Sequence, residues 1–172
     1  MLKVDLGRLE REHRLSIEEE IPQDAALLQD SGITLAGTLR IEGEAQQAGA
    51  DVLIRGRFDG NVGMECRRCL REVTVPVEEE FVLLFRAGLD PARAADEDAY
   101  ALPARGTELD IADAVREQVL LAAPRFAICD DACKGLCPQC GANLNEAGCD
   151  CTVASAEPRW AALQNLKLDQ GE

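Results

Sequence analysis

The sequence predicts an α+β fold: an antiparallel β-rich front domain, a helix packed on it, and a small C-terminal appendage rich in cysteine. Three observations predict it. Apolar residues alternate with a period of two through the front half, one later segment shifts to helical spacing, and six of the eight cysteines crowd between Cys129 and Cys151.

The elements follow in order. Leu2, Val4 and Leu6 are spaced by two, as are Leu15 and Ile17, which predicts short strands. Pro22 to Ser31 reads as a connection or a short helix. From Ile33 the alternation is clearer, through Leu35, Leu39 and Ile41. In ADVLIRGRFDGNVGMEC, Val52, Ile54, Phe58, Val62 and Met64 share one parity, with Gly56 and Gly60 in the gaps. That predicts a half-buried strand, bent or bulged at its glycines. The return segment REVTVPVEEEFVLLF puts Val73, Val75, Val77, Phe81 and Leu83 on one face. Pro76 lies off that face and predicts a sheet edge or a bulge, because proline cannot donate to a ladder. Cys66-Arg67-Arg68-Cys69 therefore sits at the tip of a long antiparallel hairpin.

ELDIADAVREQVLLAAP predicts a helix capped by Asp110. Ile111, Val115, Val119 and Ala122 form its stripe, a core-packing pattern, and Pro124 stops it. Farther on, PRWAALQNL places Pro158 at a first helical position, with Trp160, Leu163 and Leu166 along one side. The resulting division is a β-sheet domain over 1–86, a polar and acidic linker over 87–107, and the helix, the cysteine-rich segment and a C-terminal helix over 108–172. The linker is expected to be mobile.

Composition limits the function classes. The chain has 172 residues with a formal charge of −14, and only 3% of them are aromatic. Such a chain repels polyphosphate and offers no stacking platform for single strands, so a basic protein is a better direct partner than naked nucleic acid. No apolar run is long enough to span a bilayer, and the first residues carry no signal-peptide pattern. This predicts a cytoplasmic protein with no membrane contact, in a compartment that keeps thiols reduced.

Eight thiols in closely spaced pairs divide into two sets of four, and tetrahedral zinc takes four thiolates. The string GLCPQCG has the form of a zinc-knuckle turn. Pro138 sets one dihedral, Gly141 allows a left-handed residue after the second ligand, and the backbone amides point toward sulfur. The appendage is thus expected to be a zinc knuckle. The preferred division puts Cys137, Cys140, Cys149 and Cys151 on one ion, and Cys66, Cys69, Cys129 and Cys133 on the other. The second set would clamp the hairpin tip to the segment after the helix across a long loop. The competing division groups Cys129, Cys133, Cys137 and Cys140, and a third leaves a single zinc and four free thiols. With two ions, each loaded site carries a charge of −2, taking the chain to about −18.

Enzymatic chemistry is not predicted, nor is a small-molecule substrate. A redox role for Cys66 and Cys69 would call for a helix N-terminus after a strand, not an antiparallel tip. A catalytic zinc needs an open position and usually histidine, yet the one histidine, His13, lies in a charged stretch and reads as a solvated surface residue. Walker loops, dinucleotide fingerprints and nucleophile elbows are missing from the sequence. Asp96, Glu97 and Asp98 read as solvated linker. Arg67, Arg68 and Arg71, with Lys134 nearby, form the one candidate partner or phosphate contact. The alternative, which is preferred, is charge compensation around an anionic thiolate site.

These residues resemble a known family. The Cys-x-x-Cys-Leu tip, the helix ending LLAAP, the run C-x3-C-K-G-L-C-P-Q-C-G-A-N-L-N, the C-D-C and the terminal P-R-W-A-A-L-Q-N-L look like the bacterial YceD family of large ribosomal RNA subunit accumulation proteins. The resemblance runs from about Ile33 to Leu166 and is strongest from Leu120 onward. Glu157 stands where the family often has aspartate, and some members lack the late cysteines. The resemblance implies a non-enzymatic role in 23S-type rRNA accumulation or processing and in large-subunit assembly. The implied partner is a large-subunit precursor or a basic ribosomal protein, and direct RNA contact is left open. An adaptor held together by zinc and unrelated to ribosomes is the alternative.

Overall fold

A computed structural model describes residues 2–90, 92 and 98–151. The expectations for Asp96 and Glu97 and for the segment around Glu157, Pro158, Trp160, Leu163 and Leu166 lie outside the described residues.

Among the described residues the fold is α+β: mostly sheet, with two α-helices. In chain order the elements are β1 (Lys3–Asp5), α1 (Leu6–Glu12), β2 (Arg14–Ile21), a short 3-10 turn (Ala26–Leu28), β3 (Thr34–Leu35), β4 (Leu39–Ala48), β5 (Asp51–Glu65), β6 (Glu72–Arg86), β7 (Tyr100–Ala101), β8 (Glu108–Asp110) and α2 (Ala112–Ala122). The main sheet runs β2-β4-β5-β6-β7, with β3 continuing the β4 side of β5. All of its pairings are antiparallel except β6–β7. A separate two-stranded ribbon joins β1 to β8.

The β5–β6 hairpin dominates the sheet. Its register runs from Val52 opposite Phe85 to Glu65 opposite Glu72 without a skipped residue. The expected bulge at the glycines is therefore absent, and the glycines serve close packing instead. Gly43 and Gly56 face each other on β4 and β5. A Cβ on Gly56 would lie 2.8 Å from Phe81 Cζ and 2.7 Å from the Glu42 carbonyl, so the Phe81 ring occupies the space a side chain would need. The expectation of an edge at Pro76 is met. Pro76 pairs with Asn61 on one side, and β7 meets β6 only at Phe85 and Arg86.

The inward parity builds one core. Leu15, Leu39, Ile41, Ala45, Val52, Ile54, Phe58, Val62, Val77, Phe81, Leu83 and Phe85 line it from the sheet. Val4, Leu9, Leu109, Ile111, Ala114, Val115 and Val119 come from the ribbon and the helices. The stripe expected of α2 is thus the buried one. Asp110 acts one position earlier than expected, since its carboxylate accepts from the Ala112 amide while Ile111 holds the N-cap. Helix α1 stands where the spacing of Leu2, Val4 and Leu6 predicts a strand. Asp5 caps it by accepting from the Arg8 amide, and Arg8 pairs with Glu12 one turn on. His13 ends it in a left-handed conformation at φ 63°, exposed, with its amide on the Leu9 carbonyl. The outer face of the sheet carries exposed cross-strand ion pairs, Glu20–Arg40, Glu42–Arg57 and Arg14–Glu44. Such pairs stabilise little individually.

Tyr100 straps β7 to α2, its hydroxyl donating to Glu117 at 2.6 Å. Burial first, and then that hydrogen bond to a carboxylate, pushes its pKa up from 10 to about 12. The folded state favours the neutral phenol, so the strap contributes stability fully below pH 10 and loses it as pH rises through about 12. Tyr100 is the only tyrosine in the chain, so tyrosinate absorbance reports it alone. Its midpoint is expected near 12 and should move down in Glu117→Gln. An unchanged midpoint in that variant would remove Glu117 as a cause.

Candidate metal centres

The eight cysteines gather into two sets of four: Cys66, Cys69, Cys129 and Cys133 in one, Cys137, Cys140, Cys149 and Cys151 in the other. Within each set the sulfurs all lie within 4.8 Å of one another. This is the preferred division from the sequence. The competing one, which joined Cys129 and Cys133 to Cys137 and Cys140, is not the arrangement seen.

The first centre is assembled from distant segments. Cys66 and Cys69 stand at the tip of the β5–β6 hairpin, and the chain returns to them after α2. A parallel bridge joins Cys66 to Ala127, and the Arg67 amide donates to the Ala127 carbonyl at 2.9 Å. These bonds bring Cys129 and Cys133 to the tip. Cys66 Sγ lies 4.0 Å from Cys133 Sγ, and Cys69 Sγ 3.6 Å from Cys129 Sγ. A tetrahedron with metal–sulfur arms of ~2.3 Å has sulfur–sulfur edges of about 3.8 Å, so these separations match a four-thiolate site. A disulfide needs ~2.05 Å, and all eight cysteines are free. Val73, Ile128 and Leu136 pack around the buried sulfurs.

The second centre is local and nearer to solvent, with Cys137 buried and Cys140 exposed. Both centres use the same knuckle. The Leu70 amide donates to the Cys66 carbonyl, and the Gly141 amide to the Cys137 carbonyl, each at 2.9 Å. The residue after the second cysteine is left-handed in both, Leu70 at φ 59° and Gly141 at φ 74°. Glycine adopts that conformation freely, whereas leucine does so at a cost of ~1–2 kcal/mol. Leu70 is also 57% exposed and gains little from packing. Leu70→Gly is therefore expected to raise stability by up to ~1 kcal/mol, read as a higher denaturant midpoint with an unchanged slope. A lowered midpoint would mean that the leucine side chain has a packing role.

The electrostatics are compatible with a bound cation. Burial pushes the Cys66 thiol up, but amides from Cys129, Cys69 and Arg68 outweigh it and bring its pKa down to about 6. Cys129 is driven up to about 12, first by burial and then by its neighbours Cys133, Cys69 and Cys66. In the second centre, amides of Cys140 and Gln139 and then the Cys149 thiol hold Cys137 near 6. The Cys140 sulfur, followed by burial, pushes Cys151 up to about 12. Four sulfurs this close cannot all ionise without a positive charge among them. A divalent cation at the centre of each set would let them do so.

The three arginines at the tip largely serve the first centre. Arg68 donates its guanidinium to the carbonyls of Asp131 and Cys133 at 2.9 and 3.1 Å, and its amide to Cys66 Sγ at 3.5 Å. Arg71 lies against Cys129, whose charge and then hydrogen bond raise the arginine's pKa further. Arg67 stacks over the exposed Phe126 ring at 4.2 Å. This arrangement supports charge compensation by Arg68 and Arg71. Asn145 joins this site without belonging to the cysteine pattern, its side-chain amide donating to Cys133 Sγ at 3.4 Å. The two asparagines flanking Leu144 were the available signal, since such residues order tight turns.

The family described as "Large ribosomal RNA subunit accumulation protein YceD" matches residues 54–167. A "Large ribosomal RNA subunit accumulation protein YCED homolog 1, chloroplastic" of Arabidopsis thaliana is 38% identical over 105 residues, 54% of this chain and 33% of the relative. A protein of Mycobacterium tuberculosis described as uncharacterized is 33% identical over 140 residues, 80% of this chain and 64% of the relative. The chain thus spans a third of the plant protein and less than two thirds of the mycobacterial one. No solved structure matches it.

Proposed function

The chain belongs to the YceD family, and on that premise we propose that it is a non-enzymatic factor in maturation of the large ribosomal subunit, supporting accumulation of 23S-type rRNA. The observation that carries this reading is the family match across residues 54–167, together with the rRNA-accumulation description of the plant relative. The protein works in the cytoplasm by holding a large-subunit precursor, and its contact there is a basic ribosomal protein. Charge supports that choice of partner, because a chain at −14 attracts cationic protein and repels naked RNA. The engagement of Arg68 and Arg71 within the first centre points the same way.

Two structural zinc ions complete the fold, one in each set of four cysteines. Soft thiolate ligands select such an ion, and four of them close its coordination shell against substrate or water. Zinc supplies crosslinking, and the chain's own residues supply the rest: amides and arginines neutralise the sulfurs, and apolar neighbours exclude water from the first site. Among the described residues, no helix is long and apolar enough to cross a membrane.

Sedimentation of cell extract tests the role. Comigration with large-subunit precursors, and a fall of 23S relative to 16S rRNA on depletion, are expected. Pull-downs at rising salt are expected to retain basic large-subunit proteins at low salt and lose them as the charges are screened. Retention of RNA alone, with no ribosomal protein, would overturn the partner. Absence from precursor fractions, with rRNA levels unchanged, would favour an adaptor unrelated to ribosomes.

A further inference from the structure

We propose that the two cysteine centres load metal as a coupled pair, with Asn145 as the positioning residue that transmits loading of the second centre to the first. The inference rests on the zinc reading above and goes beyond it.

The chain path makes the coupling mechanical. Cys133 of the first centre is followed directly by Lys134, Gly135 and Leu136, and then by Cys137 of the second. After the knuckle the chain doubles back. The Cys137 amide donates to the Ala142 carbonyl at 2.8 Å, the Leu144 amide donates to the Gly135 carbonyl at 2.9 Å, and Leu136 bridges Asn143 in antiparallel sense. This return segment ends beside the first centre. There the side-chain Oδ1 of Asn145 accepts from the Lys134 amide at 2.8 Å, while its Nδ2 donates to Cys133 Sγ at 3.4 Å and to Asn143 Oδ1 at 2.8 Å. The Lys134 donor fixes the orientation of the amide, since turning it over would set two donors face to face. A residue from the loop of one centre thus hydrogen-bonds a sulfur of the other.

That loop is bounded by Cys140 and Cys149, both ligands of the second set. Backbone bonds hold its near half, and an ion shared by Cys140 and Cys149 would close it end to end. Filling the second centre fixes the loop and holds the Asn145 amide on the Cys133 sulfur, offsetting thiolate charge before the first ion arrives. The Leu136 amide on the Arg68 carbonyl, at 3.0 Å, ties the same segment to the hairpin tip. Since coupling in binding is reciprocal, an ion in the first centre must tighten the second by the same factor. Partners of this kind around metal ligands typically change affinity ~10–100-fold.

The test is zinc titration of the full chain against a competing chelator. Alkylation of each cysteine, read by peptide mass spectrometry, tells the centres apart. In Cys149→Ser all four cysteines of the first set remain, yet the affinity of that set is expected to fall ~10–100-fold. Asn145→Ala, with all eight cysteines present, is expected to weaken the first centre by a similar factor and, reciprocally, to lessen the tightening of the second. The double variant should bind at the first centre no more weakly than Cys149→Ser alone. A sheet spectrum unchanged by circular dichroism keeps these effects apart from unfolding. Unaltered affinity at Cys66, Cys69, Cys129 and Cys133 in Asn145→Ala, or additive losses in the double variant, would overturn the coupling while leaving both sites intact. A wild-type chain that binds no zinc would overturn the coupling and the zinc reading together. Neither result bears on the ribosomal role.

Discussion

Cys66→Ser is expected to halve the bound zinc, from two ions per chain to one, and to release the segment around Cys129 from the sheet. Cys66 is fully buried, its sulfur accepts amide hydrogen bonds from Arg68 and Cys129, and its backbone bridges Ala127. A serine hydroxyl in its place is a poor ligand for a soft ion and leaves three thiolates crowded without their cation. The first centre joins residues sixty or more positions apart, so its loss frees a long loop. Structural zinc binding in zinc-finger peptides amounts to ~10–16 kcal/mol, comparable with the ~5–15 kcal/mol margin of an ordinary fold. Limited proteolysis is expected to open new cuts between Ala123 and Cys137. Metal analysis should meanwhile show the second ion retained, bound more weakly if the coupling through Asn145 holds. Retention of both ions in the variant would remove the hairpin pair from coordination.

Phe58→Ala is expected to cost ~3–5 kcal/mol, the range for deleting a fully buried aromatic side chain. Phe58 is 0% exposed at the middle of β5. Its ring lies 6.1 Å from that of Phe81 at an interplanar angle of 23°, and Ile41 stands opposite it on β4. Gly56 gives Phe81 its place, so the vacated volume cannot be refilled by a simple shift of that ring without opening a gap over the glycine. Urea unfolding should show a lower midpoint at unchanged slope. Phe126→Ala, at an aromatic that is 52% exposed, serves as the control and should change stability by less than ~1 kcal/mol. A Phe58→Ala effect no larger than the control would mean that the sheet core is not where the stability lies. The folded fraction of Phe58→Ala should keep its zinc, which separates the core from the metal clamp.

Much of this molecule is legible in the chain because its signals are long or chemically specific. The parity of β5 and β6 is sustained over fifteen residues each, longer than any competing pattern. The stripe of α2 ends at a proline, and Cys-Pro-Gln-Cys-Gly prescribes its own turn. The division of the cysteines followed from one physical argument, that a crosslink is most effective across a long loop. What stayed hidden was short or remote. Leu2, Val4 and Leu6 continue a period of two into α1, so a seven-residue helix with an Asp5 cap and an Arg8–Glu12 pair has the local pattern of a strand. The β1–β8 ribbon pairs three residues with three others over a hundred positions away, and no local pattern encodes that. At Gly56 the same residue type that permits a bulge also permits a ring to lie against a strand, and only the position of Phe81 decides between them. The role of Asn145 depends on a doubling-back of the chain, through the Leu136–Asn143 bridge, that no local pattern encodes.

Extended X-ray absorption at the zinc edge, combined with metal stoichiometry on the purified chain, tests the central claim most directly. Two zinc ions per chain are expected, each surrounded by four sulfurs at ~2.3 Å with no nitrogen or oxygen neighbour. Fewer than two ions, or a shell that includes oxygen or nitrogen, would contradict a closed pair of thiolate clamps joining the sheet to its C-terminal segment.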